Sequence, residues 1–511
     1  MEIRRRTILA SLLTAGFVFP QASPAAVDTP AFSFDGLKDR ALALARRAHR
    51  PDDSSPLPQS LRDLDYSRFQ TIKFRPDQAL WQDGGLFQVQ FVHRGFQFNR
   101  KVAIHLIENG EIRDATYSPM QFDFGSNELP GDFPASLGFA GFRLHFPLNR
   151  PDRFEEFAVF LGASNFRLIG RGQIYGASAR GLAIDVAGSQ GESFPVFTDF
   201  WLERPAPDVT TITVYALLDS KSVAGAYKFA FSPAADARVQ VEAELFLRSD
   251  IEKLGLAPIA SAFLHGKPGN RPFLDLRPEL HDSDAILLHR GNGEWLSRPL
   301  LNPRSLRVSA FADQGPKGFG LVQRERAFAQ YEDPVNQYHL RPSLWVEPLS
   351  DWGAGAVELV EIPSDSEIND NIVAYWVPHA RSKAGTSIAF AYRLTAQLDP
   401  GPPKGGRCIA TRNGPTTPID AQREPSDNGL QFWLDFTGGE LPSLSDAMPL
   451  EAVVSTSDGK VGEVTCRKID ATIWRTSFIF RPNGRKNAEL RAFLRLRSDA
   501  LSETWSYRWG A

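Results

Sequence analysis

From Val239 to Leu245 the chain alternates apolar and polar side chains, Val239-Gln240-Val241-Glu242-Ala243-Glu244-Leu245. That rhythm puts every second residue on one face of an extended strand. Leu86-Phe87-Gln88-Val89-Gln90-Phe91, Lys101-Val102-Ala103-Ile104-His105-Leu106 and Thr211-Ile212-Thr213-Val214-Tyr215-Ala216 repeat it, with turn residues between such runs. The pattern continues almost unbroken from about residue 70 to residue 396. Helical spacing is clearest only once, from Leu37 to Ala48, where Leu37, Ala41, Leu42, Leu44 and Ala45 are apolar. Many short strands and few helices predict an all-β fold of stacked sheets.

A length of 511 residues sets a prior of two to four domains at about 150 residues each. Sandwiches run longer than that average, so two is the expectation. The best boundary is Asp399-Pro400-Gly401-Pro402-Pro403-Lys404-Gly405-Gly406, where prolines and glycines replace apolar periodicity. Residues 27–398 then form one large double-sheet domain, 399–406 a linker, and 407–511 a smaller, immunoglobulin-like sandwich. The only cysteines, Cys408 and Cys466, both fall in the smaller domain. A bridge between its two sheets is expected, with two free buried thiols as the alternative.

Residues 1–26 read as an export signal. Arg4, Arg5 and Arg6 precede an apolar run from Ile8 to Phe19, and Ala22-Ser23-Pro24-Ala25-Ala26 supplies a cleavable small-residue stretch. The run is shorter than the roughly 20 residues of a membrane span. Arg5-Arg6-Thr7-Ile8-Leu9 is similar to a twin-arginine signal. A soluble periplasmic protein is expected, in a compartment where disulfides persist. Net charge is −3 with no basic block after the leader, so nucleic acid is not an expected partner.

Phosphate-binding glycine loops, a Gly-x-Ser-x-Gly elbow and zinc-type Cys or His spacings are all missing from the sequence. Gly291-Asn292-Gly293 and Gly353-Ala354-Gly355 read as hairpin turns. His281-Asp282-Ser283-Asp284 has no second histidine nearby to complete a metal site. No metal and no cofactor are expected. Charged and aromatic residues instead concentrate between residues 271 and 376, in segments such as Tyr331-Glu332-Asp333, Tyr338-His339-Leu340-Arg341 and Asp351-Trp352-Gly353. Aromatic faces can stack on pyranose rings, polar side chains can bond hydroxyls, and two carboxyl groups can cleave an acetal. Tyr331, Tyr338, Arg341, Trp345 and Trp352 are the candidate sugar contacts; ion-paired loops and core aromatics would give the same composition.

That stretch resembles the periplasmic glucan biosynthesis G/D proteins, which act in making osmoregulated periplasmic glucans. So do Tyr117-Ser118-Pro119, Gly172-Gln173-Ile174-Tyr175-Gly176-Ala177-Ser178-Ala179-Arg180-Gly181 and Phe200-Trp201-Leu202-Glu203-Arg204-Pro205. The resemblance covers essentially the whole mature chain, and the leader looks more like the D branch. It implies a galactose-mutarotase-like double-sheet sandwich followed by an immunoglobulin-like one. It implies the β-1,2-glucan backbone as substrate and the inner-membrane glucan synthesis machinery as a partner. The implied activity is that of an endo-β-1,2-glucanase, mostly inverting, or a related transglycosylase; a non-catalytic glucan-binding scaffold is the alternative. The general acid then corresponds to Asp370 in Asn369-Asp370-Asn371 and the general base to Asp282. Asp284 is the competing base, because alternate residues of a strand share a face. Asn369 and Asn371 are expected to hydrogen-bond the neutral Asp370 carboxyl.

Overall fold

A computed structural model describes residues 32–50, 56–129, 131–189, 191–267, 275–399, 405–416, 429–484 and 487–510. The expected leader 1–26, residues 271–274 of the dense stretch and residues 400–404 of the expected linker lie outside the described residues.

The alternating segments form strands as their rhythm predicts. Ala237–Leu247 buries every second side chain from Ala237 to Ala243, between Val223–Ser232 on one side and Ser387–Gln397 on the other. It lies in a 15-stranded sheet whose inner face packs on a 10-stranded sheet. Phenylalanines close the space between them: Phe142 meets Phe200 with ring centroids 5.0 Å apart, and Phe160 meets Phe229 at 5.1 Å. The fold is therefore all-β and sandwich-like.

The helix runs over Phe34–Ala45, a turn earlier than its apolar spacing suggested. Ser33 caps it by accepting from the Gly36 N–H, and the Arg248 guanidinium donates to the Leu44 carbonyl at its other end. Leu37 and Ala41 pack with Trp201, Leu217, Ala226 and Phe246 on the outer face of the large sheet. Gly291-Asn292-Gly293 does close a hairpin, between Ala285–His289 and Trp295–Pro299. Gly353 does not: it precedes Ala354–Glu361, where the chain crosses from the 15-stranded to the 10-stranded sheet.

A separate apolar core begins at Cys408, built around Phe432, Phe436, Trp474, Phe478 and Trp505. Hydrogen bonding does not stop at that boundary. Trp295–Pro299 pairs in parallel with Thr504–Gly510, so the 15-stranded sheet continues into the C-terminal part. Beside this junction, the Arg324 guanidinium donates both outer nitrogens to Glu503, at 2.6 and 2.8 Å. Glu503 also accepts from the Ser297 hydroxyl and the Cys408 N–H.

Both cysteines are free thiols. They lie at opposite edges of one four-stranded sheet, ordered Arg407–Pro415, Leu430–Thr437, Trp474–Arg481, Lys460–Lys468. Three strand spacings, about 14 Å in all, separate them. A disulfide needs Cα atoms within roughly 7 Å. The expected bridge failed because it assumed facing sheets. Alkylation of the unreduced, denatured protein should label both cysteines, and reductant should leave the thermal midpoint unchanged. A mass two hydrogens short with no label would contradict this arrangement.

Candidate active site

Asp282 and Asn371, the neighbour of Asp370, are held by one short piece of backbone. The strand Leu254–Ser261 lies between Ser178–Arg180 and Ile372–Pro378, with Ala260 opposite both Ser178 and Val373. Just past its end, the Ala262 carbonyl accepts from the Asp282 N–H at 2.8 Å. The next residue, Phe263, is gripped by the Asn371 side chain: its N–H donates to Asn371 Oδ1 at 2.8 Å and its carbonyl accepts from Nδ2 at 3.0 Å. Residues 262 and 263 thus fix Asp282 on one side and the neighbour of Asp370 on the other. Two strands away, the Ser178 hydroxyl donates to Asp370 Oδ2 at 2.8 Å.

Asn371 has no amide left for the Asp370 carboxyl, since Nδ2 also donates to the Ile362 carbonyl. Asn369 is exposed. The hydroxyl of Ser178 takes the role that the sequence suggested for these two asparagines.

The carboxylates differ in surroundings. Asp370 is half-buried, whereas Asp282 is 3% exposed and ion-paired with Arg341. Burial pushes the Asp282 carboxyl above its ordinary value, Arg341 pulls it back, and the charge of Asp370 pushes it up again. The two groups therefore sense one another across the site. Arg341 lies over the Tyr338 ring, 3.9 Å from its centroid. Its stem presses on Gly176, where any Cβ would sit 2.9 Å from the Arg341 side chain, so only glycine fits. Arg326 secures the turn by donating to the His339 and Arg341 carbonyls. A buried carboxylate with a fixed cation beside a more open carboxyl suits paired proton transfer.

The other sequence candidates separate from this pair. Asp284 is not on the same face as Asp282, because the chain bends between His281 and Ala285 and the strand rhythm lapses. Its Oδ2 accepts from the Arg324 and Glu325 N–H groups at 2.9 Å each, and it lines a cavity that Asp282 does not reach. Tyr331 is 0% exposed, packed with Leu264, Leu280 and Tyr338, and its hydroxyl donates to the Glu325 carbonyl. Tyr338 is buried beneath Arg341 and donates to Glu367. Trp345 stacks on Trp295 at 5.5 Å, over Gly318 and Gly320. Trp352 packs among Phe319, Trp376 and Tyr392. Of the five proposed sugar contacts Arg341 pairs with Asp282, and the four aromatics are buried among other side chains.

Ser178 and Gly176 were not singled out, although both lie within the glycine-bracketed motif 172–181. A small residue followed two positions later by a hydroxyl was the available signal. Arg277 was also missed: it ties three loops together through Asp275, Asp333 and Glu367. Among the described residues no group of His, Cys, Asp or Glu could hold a metal ion, and no helix is long and apolar enough to cross a membrane.

The profile of the family described as "Periplasmic glucan biosynthesis protein, MdoG" matches residues 32–509. Glucans biosynthesis protein G of Rhodopseudomonas palustris is 44% identical over 514 residues, covering 99% of this chain and 100% of the relative. The protein of the same name from Ralstonia nicotianae is 43% identical, covering 92% and 95%. That from Bradyrhizobium diazoefficiens is 42% identical, covering 99% of each. These names carry the letter of the G branch, where the leader had looked more like the D branch.

Proposed function

Since the chain belongs to the MdoG family of periplasmic glucan biosynthesis proteins, we propose that it cleaves the β-1,2-glucan backbone in the periplasm as an inverting endo-β-1,2-glucanase. Asp370 is the general acid and Asp282 the general base. The observation that carries this reading is that the Asp282 backbone and Asn371, the neighbour of Asp370, are both anchored on residues 262–263, with the two carboxyl groups in unlike surroundings. Asp370, with the Ser178 hydroxyl on one oxygen, donates its proton to the leaving glycosidic oxygen. Asp282 activates water on the other face of the sugar. Arg341 opposes the effect of burial on the Asp282 carboxyl, favouring its ionised form. A transglycosylase would use the same pair with a sugar hydroxyl in place of that water. The family description and the names of the relatives support a glucan as the substrate, and the β-1,2 linkage is the part proposed here.

The test is product analysis after incubating the purified protein with linear β-1,2-, β-1,3- and β-1,4-glucans. Shortening of the β-1,2 polymer alone is expected; shortening of another alone overturns the substrate assignment. The pH profile adds a check. A base works only when ionised, and the Asp282 pKa is raised above its ordinary 3.8, so kcat/KM should fall as pH drops through that raised value. Arg341→Gln removes the cation that opposes burial and should move this acid limb to still higher pH. An unmoved limb would remove Asp282 from the role.

A further inference from the structure

Behind the 279–284 segment, away from Asp370, a cavity of about 510 Å³ opens between the large sandwich and the C-terminal one. That volume lies within the range of small-molecule sites, about 300–1,000 Å³. Glu279, His281 and Asp284 line it from the large sandwich, and Ile409, Ala410 and Ile473, with the charged Arg412 and Asp435, from the C-terminal one.

Two carboxylate oxygens in this cavity, Glu279 Oε1 and Asp284 Oδ1, are buried and have no hydrogen-bond partner. Glu279 is only 5% exposed, and its Oε1 has the Lys267 ammonium 3.8 Å away, within ion-pair reach but with no hydrogen bond made. Its other oxygen accepts from His281 Nε2 at 2.8 Å. The imidazole is held by Gln323 on its far nitrogen, at 2.7 Å.

Cations already stand near both acceptors. Lys267 lies 3.8 Å from Glu279 and pairs with Glu325, and Arg324 is committed to Glu503. A further cation would gain little, and no metal-type cluster exists among the described residues. What the two oxygens lack is a hydrogen-bond donor. Ile409, Ala410 and Ile473 offer apolar surface for the C–H face of a ring. A polyhydroxylated neutral ligand meets both demands.

We infer that this interdomain cavity is a second saccharide site, which holds a short β-linked glucoside through Glu279 and Asp284 and takes no part in bond cleavage. The inference deepens the glucan reading and rests on it for the identity of the sugar.

The probe is the β-1,2-linked glucose disaccharide, titrated calorimetrically into the full chain. Two sites are expected. Ala410→Trp fills the cavity and should remove one of them, with cleavage of linear glucan unaffected; Arg341→Ala should remove the other. Binding unchanged in Ala410→Trp overturns the cavity site. So does absence of any disaccharide binding by a protein that still shortens linear glucan. A single site that disappears in Ala410→Trp, in a protein inert towards glucans, keeps the cavity and sinks the glucanase reading. Should Ala410→Trp not fold, crystals of the unmodified protein soaked in the disaccharide decide. A pyranose ring bonded to Glu279 and Asp284 is expected; ordered water alone in the cavity overturns the proposal.

Discussion

Asp370→Asn should lower turnover of linear β-1,2-glucan by about 10²–10⁴-fold, the usual worth of a positioned general acid. Glucan affinity should stay close to that of the unmodified protein. The amide keeps the size of the carboxyl and can still meet the Ser178 hydroxyl through its oxygen, so packing is preserved. What it lacks is a proton to give the leaving oxygen. Asp282→Asn should cost a similar factor, with a lowered thermal midpoint besides, because the ion pair with Arg341 is lost from a buried place. Asp284→Asn should be milder in turnover, since Asp284 faces the interdomain cavity. Turnover, affinity and thermal midpoint on all three variants separate the roles. Full activity in Asp370→Asn would end the assignment.

Arg324→Ala should be the most destabilising single change at the junction of the two sandwiches. The Glu503 side chain is 0% exposed and receives both outer nitrogens of Arg324. Without the guanidinium it is a buried charge with no counter-ion, which typically costs about 3–5 kcal/mol. The Ser297 hydroxyl and the Cys408 N–H remain as donors but carry no charge. A neutral Glu503→Gln in the same chain should recover part of the loss, because it removes the stranded charge. Thermal and denaturant midpoints of the single and double variants measure this. A midpoint for Arg324→Ala equal to the unmodified protein would show that the paired strands 295–299 and 504–510 hold the junction without the ion pair.

The sheets were legible in the sequence because burial on one face leaves a period of two, as in Ala237–Leu247. The same logic misled where the backbone departs from a strand. Asp282 and Asp284 seemed to share a face, yet the chain bends between His281 and Ala285. The aromatics between residues 331 and 352 looked like groove contacts because composition does not reveal which face a ring takes. Trp345 covers Gly318 and Gly320, and Tyr331 fills a core. Sheet membership is equally invisible: Cys408 and Cys466 are far apart along the chain, which suits facing sheets and opposite edges of one sheet alike. Carboxylates in loops carry no periodicity at all. Asp370 and Asp282 entered through family resemblance, and the anchoring of Asp282 and Asn371 at residues 262–263 emerges only from the fold.

The central claim is that this pair cleaves β-1,2-glucan with inversion. The most direct measurement follows newly formed reducing ends by proton NMR while the purified protein acts on a linear β-1,2-glucan. The prediction is that the α-anomer appears first and equilibrates to the β-anomer afterwards, with no signal from Asp370→Asn. A folded protein that binds the glucan and forms no new reducing end over the same period would contradict the claim and leave a glucan-binding scaffold in its place.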